Sequence, residues 1–153
     1  MTTAEYYLLD VFTDQPFTGN PLAVFLNADG LDTCTMQALA NELNLAETVF
    51  LSAESAPQHY PMRIFTPTRE LPFAGHPLVG TAWLLHQEGH ALNALRPPAG
   101  LVPIRVDSDT TWIRGRPEWS PKIQFLQHTS PEEINALTGP LDGVGFAYCW
   151  AWE

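Results

Sequence analysis

The sequence predicts an α+β chain, mainly β, with a mostly antiparallel sheet curled around one buried helix. Three observations carry that expectation. Short runs of β-forming residues recur along the chain, separated by turn clusters that draw on 14 prolines and 10 glycines. The segment from Leu78 to about His86 carries Leu78, Val79, Ala82, Trp83, Leu84 and Leu85, which are apolar round most of a helical circumference and so call for burial on nearly all sides. A second segment, up to Leu43, has apolar residues on one face only, at Met36, Leu39, Ala40 and Leu43, as a helix lying on a sheet would.

Taken in order, Ala4 to Thr13 reads as a first strand, and Leu22 to Leu26 as a second. Gln15 to Pro21 between them is a turn-forming cluster, so the two form a hairpin with a long loop. Asp32 or Thr33 caps the first helix. Strands follow at Glu47 to Leu51 and Met62 to Thr66. Gly75-His76-Pro77 opens the apolar helix, with Pro77 at its first position. Three more strands are expected near residues 101–107, 110–115 and 122–127. Ser130-Pro131-Glu132-Glu133 is a capping box that starts a short helix ending near Gly139. Gly145 to Trp152 is a last strand whose apolar end should pair with another segment.

Composition removes several function classes. Seven basic residues against 17 acidic ones give a formal net charge of −10, a field that repels phosphate backbones and anionic membrane surfaces. The six arginines are dispersed, so no nucleic-acid partner is expected. No apolar run is long enough to cross a bilayer, and Met1 to Tyr7 lacks the basic and apolar parts of a signal peptide. Cys34 and Cys149 form neither a disulfide framework nor a metal-ligand spacing. The expectation is a cytoplasmic chain with no membrane partner and no metal.

Two places could carry chemistry. Glu47 lies between Leu45-Ala46 and Thr48-Val49-Phe50, where helix gives way to strand. A carboxyl among apolar neighbours holds its proton to higher pH and can act as acid or base near neutrality. The alternative is a strand-entry glutamate facing water. His76 follows Gly75 at a helix start, where free backbone N–H groups favour a carboxylate or developing negative charge. Gly75 would let a ligand approach the backbone. The other reading makes Gly75 a turn and His76 its cap. Asn20, before Pro21, reads as turn chemistry or as a substrate contact. The other histidines lack metal-ligand spacing, so no metal site is expected.

Four ordered blocks add to this. They are Asp10 to Thr13 running on through Pro16 to Phe25, Asn44 to Phe50, Arg63 to Pro67, and Glu70 to Pro77 followed by Gly80-Thr81-Ala82. In order and spacing they resemble the PhzF-like family of phenazine-biosynthesis isomerases, which has a diaminopimelate-epimerase-like fold. The resemblance is specific over about residues 6–85 and looser to the end, where Arg116 to Trp119 and Trp150 to Trp152 also look like the family. It implies two similar lobes with a cleft between them, Glu47 as the catalytic acid/base, His76 as the histidine of the substrate site, and proton transfer on a small carboxylate-bearing molecule without a cofactor. Ala46 stands where the family commonly has serine. Residues 1–153 correspond to one N-terminal lobe, and the acidic, glycine-containing block of a second lobe is absent. The expectation is therefore an isomerase that is incomplete alone, requiring a second lobe or a homo-oligomeric partner. The alternative is an inactive binding or interaction module that keeps one lobe of the fold.

Overall fold

The computed structural model describes residues 5–108, 110–120, 122–139 and 147–152. The chain falls into two units, Met1–Trp119 and Ser120–Glu153. The first holds one eight-stranded sheet. Its elements are β1 (Tyr6–Val11), β2 (Asn20–Phe25), α1 (Thr33–Leu43), β3 (Glu47–Leu51), β4 (His59–Phe65), β5 (Glu70–Leu71), α2 (Gly75–Gln87), β6 (Ala94–Arg96), β7 (Val102–Asp107) and β8 (Thr110–Ile113). The sheet order is β1-β2-β3-β4-β6-β7-β8, with β5 on β4. Five of the seven pairings are antiparallel; β2 with β3 and β4 with β6 are parallel. Helix α2 touches β1, β2 and β3 near one end of this order and β7 and β8 at the other. A flat sheet cannot do that, so the sheet curls around the helix.

Alternation along the strands sorts the core into two layers. Val49 and Leu51 of β3 pack in one cluster with Leu22, Val24, Ile64 and Leu95 and with Leu78 and Leu85 of α2. Phe50 faces the other way and stacks on Phe25, with ring centroids 4.9 Å apart, in a layer with Phe65 covered by Met36 and Ala40 of α1. Strand β3 is thus covered on both faces. Fully burying each such large side chain stabilises the fold by about 1.5 to 3 kcal/mol.

Local signals explain the elements that deliver the site. Asp32 caps α1 by accepting a hydrogen bond from the Thr35 N–H at 2.7 Å, which satisfies an otherwise unpaired first-turn donor. Asn44 ends α1 in the left-handed region at φ 51°, a conformation asparagine tolerates better than most residues. This turns the chain so that Glu47 begins β3. On the other side, Arg63 grips Glu70 through two hydrogen bonds, at 2.6 and 2.7 Å, and fixes the short strand leading into α2.

Several boundaries differ from expectation. The hairpin forms, but its bend comes from Phe12 and Phe17, both at φ 66°, while Asn20 is already in β2 opposite Val11. Gly19 is tied by packing, since a Cβ there would sit 2.6 Å from the Val11 carbonyl oxygen. Helix α2 starts earlier than expected, with Ala74 as N-cap, so Pro77 is its third residue rather than its first. Proline is tolerated there because first-turn N–H groups have no intrahelical acceptor. Nor is α2 buried all round: Leu78, Ala82, Leu84 and Leu85 are covered, but Trp83 is 45% exposed. Apolar composition marked the helix for burial without showing which sector the sheet leaves open.

The second unit contains β9 (Gln124–Gln127), α3 (Pro131–Asn135) and β10 (Ala147–Trp150), with β10 parallel to β9. The Ser130 side chain makes no cap hydrogen bond; instead the Glu133 carboxylate accepts from the Thr129 N–H at 2.9 Å. The expected strand at Gly145 to Trp152 is found from Ala147, and Gly145 and Phe146 lie outside the described residues. No helix among the described residues is long and apolar enough to cross a membrane.

Candidate active site

Glu47 opens β3 opposite Leu22 of the parallel strand β2, and His76 is the second residue of α2. The helix packs on β2 and β3, which brings the two side chains together. The His76 Nδ1 lies 3.4 Å from the Glu47 Oε2, with only 9% and 18% of the respective side chains exposed. A polar pair this well covered, beside the end of the main core, is a structural cost that a solvated strand-entry glutamate would not incur.

Burial raises the Glu47 carboxyl above its ordinary value of 4.5. Burial also lowers His76 below 6.5, and the Pro21 carbonyl beside the ring opposes this without reversing it. Both shifts favour the uncharged forms. A carboxyl that keeps its proton toward neutrality beside an imidazole that stays neutral can either donate or accept one proton. The Glu47 Oε2 and the His76 Nε2 are buried and without a hydrogen-bond partner, so the pair has unused hydrogen-bonding capacity.

Gly75 starts α2 and is exposed, and a Cβ built on it would meet nothing within 4 Å. Packing inside this chain therefore does not demand glycine there. Its backbone N–H and that of His76 belong to the first turn of a helix, whose donors are available to an anion. Asn20 is placed at the same end of the sheet by the β1–β2 register and precedes Pro21. Among the described residues its side chain makes no hydrogen bond to Glu47 or His76. The structure thus gathers Glu47, His76 and Gly75 directly and Asn20 only as a neighbour. Sequence reading missed the Pro21 carbonyl, because Gly19-Asn20-Pro21 reads as turn chemistry while the backbone acceptor has no residue signature. No group of three or more histidine, cysteine, aspartate or glutamate residues able to hold a metal occurs among the described residues.

The chain is 57% identical over 83 residues to a Mesorhizobium japonicum protein named an uncharacterized isomerase, covering 54% of this chain and 28% of that one. It is 47% identical over 135 residues to the trans-2,3-dihydro-3-hydroxyanthranilate isomerase of Pseudomonas aeruginosa, covering 88% of this chain and 49% of the isomerase. A crystal structure of a PhzF-family phenazine biosynthesis protein from Bacillus anthracis superimposes with a TM-score of 0.64 at 32% identity, covering 74% of this chain and 40% of that one. This chain therefore spans about half, or less, of the length of these relatives. The family described as phenazine biosynthesis-like proteins matches residues 9–135, and the chain belongs to that PhzC-PhzF family.

Proposed function

We propose that these residues form the acid/base lobe of a PhzF-like isomerase, with Glu47 as the proton carrier. The observation that carries this reading is the covered Glu47–His76 pair, 3.4 Å apart and both biased toward neutrality. In the ionised form the Glu47 carboxylate takes a proton from a carbon next to an activating group, breaking a C–H bond and forming an O–H bond. The electron pair moves through the adjoining double bond, and the same carboxyl returns the proton to another carbon of that system. No net oxidation or reduction occurs, so the step needs neither a metal nor an organic cofactor. His76 supports Glu47 by offering a neutral hydrogen-bonding partner. The first-turn N–H groups at Gly75 and His76 receive a carboxylate of the substrate, and Asn20 lies on the same rim. Covering the site keeps the carried proton from exchanging with water.

The chain supplies one lobe of the cleft, and activity requires a second, supplied by further polypeptide or by an oligomeric partner. The relatives named as trans-2,3-dihydro-3-hydroxyanthranilate isomerases point to a cyclic, carboxylate-bearing amino acid as substrate. The test is a fusion of this chain to the unmatched half of the Pseudomonas aeruginosa isomerase, assayed with that enzyme's substrate in D2O. Turnover should return the substrate's own hydrogen to the product with little solvent deuterium incorporated, and Glu47→Gln should lower turnover by about 10²- to 10⁴-fold. Unchanged turnover in Glu47→Gln overturns the assignment.

A further inference from the structure

Helix α2 begins without a capping side chain, because its N-cap is Ala74. The place of its first turn, where Gly75 and His76 stand, is therefore set by the segment that leads into it. The residues before the cap are held from outside one by one. Arg63 grips Glu70, and Leu71 pairs with Ile64. The Pro72 carbonyl accepts a hydrogen bond from the Ala99 N–H at 3.0 Å. Phe73 is held by its ring, whose centroid lies 5.5 Å from that of Trp119 at an interplanar angle of 48°. That separation is within the range of a favourable aromatic pair.

Two glycines leave the space these rings occupy. A Cβ on Gly115 would lie 2.9 Å from the Phe73 Cζ, closer than packed carbon atoms approach. One on Gly100, itself at φ 136°, would lie 3.3 Å from the Trp119 Cζ2. The Arg116 guanidinium lies over the same indole, 5.5 Å from its centroid. Phe73 and Trp119 are half-buried and pack at the edge of the core rather than within it. All of these residues belong to the first unit. Beyond Ala74 the close fit ends, since a Cβ on Gly75 would meet nothing within 4 Å. A turn that grips an anion through backbone N–H groups has no side chain with which to adjust its aim. Hydrogen bonds weaken steeply with misalignment, so the fitted frame before the turn governs the grip.

We propose that Trp119 is a positioning residue for substrate binding. Seated on Phe73 in the space left by Gly100 and Gly115, it fixes the first turn of α2 where the N–H groups of Gly75 and His76 meet the substrate carboxylate. Trp119 acts through Phe73 and the backbone, whereas Glu47 is carried by β3. The role of Trp119 is thus in binding rather than in proton transfer. It rests on the reading of Gly75 and His76 as the carboxylate's place, and the two fail in different ways.

The test joins kinetics, in the fusion to the unmatched half of the Pseudomonas aeruginosa isomerase, with amide NMR of this chain alone. Trp119→Ala should raise KM by about tenfold or more while kcat changes by less than about threefold, the pattern of lost binding. Trp119→Phe, which keeps a ring against Phe73, should hold KM within about threefold of the parent. Gly115→Ala keeps the indole but displaces Phe73, and should raise KM by about threefold or more. It decides alone if Trp119→Ala does not fold. Asp32→Ala, which weakens α1 without touching this frame, should leave KM unchanged. The Gly75 and His76 amide signals should move in Gly115→Ala, and that of Ala40 in α1 should not. Signals of Gly75 and His76 that stay in place overturn the role of Trp119. Signals that move while KM is unchanged overturn the carboxylate reading of the turn on which that role rests. An equal rise of KM in Asp32→Ala, or a loss of kcat at unchanged KM in Trp119→Ala, overturns the proposal as well.

Discussion

Gly75 and Gly80 stand on one helix and serve opposite ends. A Cβ on Gly80 would lie 2.7 Å from both the Leu22 and the Val11 side chains, whereas one on Gly75 would meet nothing within 4 Å. The middle of α2 is pressed against β1 and β2 so closely that only a hydrogen fits. Its first turn, beside the Glu47–His76 pair, is open. The contrast separates two reasons for a glycine: one is set by packing within the lobe, the other by room for something outside it. A helix held rigidly at its middle can present its first turn, and His76 with it, in a fixed position.

That comparison can be sharpened by substitution. The largest effect falls on chemistry at the open end: Glu47→Gln in the two-lobed fusion costs about 10²- to 10⁴-fold in turnover, equivalent to roughly 3 to 5 kcal/mol of barrier. Next comes the packed end, where Gly80→Val should destabilise this chain by about 2 to 3 kcal/mol through overpacking, read as a lowered denaturation midpoint. A gain in stability there would break the comparison. Asp32→Ala, which removes the α1 cap, should cost about 1 kcal/mol in the same assay without affecting Glu47. Smallest is Gly75→Ala, expected to change stability by less than about 0.5 kcal/mol while weakening substrate binding in the fusion. A large loss of stability would show that packing also governs the open end.

A pH dependence follows from the direction of the Glu47 shift. The unfolded carboxyl titrates near 4.5 and the folded one above it. Below the unfolded value the group is protonated in both states and costs nothing. As pH rises through that value and past the folded one, the native protein loses stability that Glu47→Gln keeps. The variant should therefore melt above the parent at about pH 7 and together with it at about pH 3. His76 acts in the opposite window, costing stability as pH falls below 6.5.

Much of this was legible in the sequence, and the remainder was hidden for definite reasons. The one-sided periodicity of Met36 and Ala40 located α1 and its buried face, and Asp32 proved its cap. The apolar run from Leu78 found α2, yet could not reveal that one sector stays open, because composition records how much apolar surface exists and not which neighbours cover it. Strand β6 went unseen, since Ala94-Leu95-Arg96 is too short for a pattern, and one of its two partners, β4, lies far away in sequence. Glu47 and His76 were found as residues, but that they meet at 3.4 Å depends on the parallel pairing of β2 with β3 and on α2 crossing both. Neither fact is local. The Pro21 carbonyl was invisible for a simpler reason: every residue has one.

The most direct test of the acid/base reading is the titration of the Glu47 carboxyl itself, followed by carboxyl-carbon NMR in this chain with Glu47→Gln to assign the signal. A buried proton carrier beside a neutral imidazole should titrate above 4.5 when folded and return to that value when unfolded. A folded midpoint at or below 4.5 would show an ordinary solvated or ion-paired carboxylate, and would contradict the central claim.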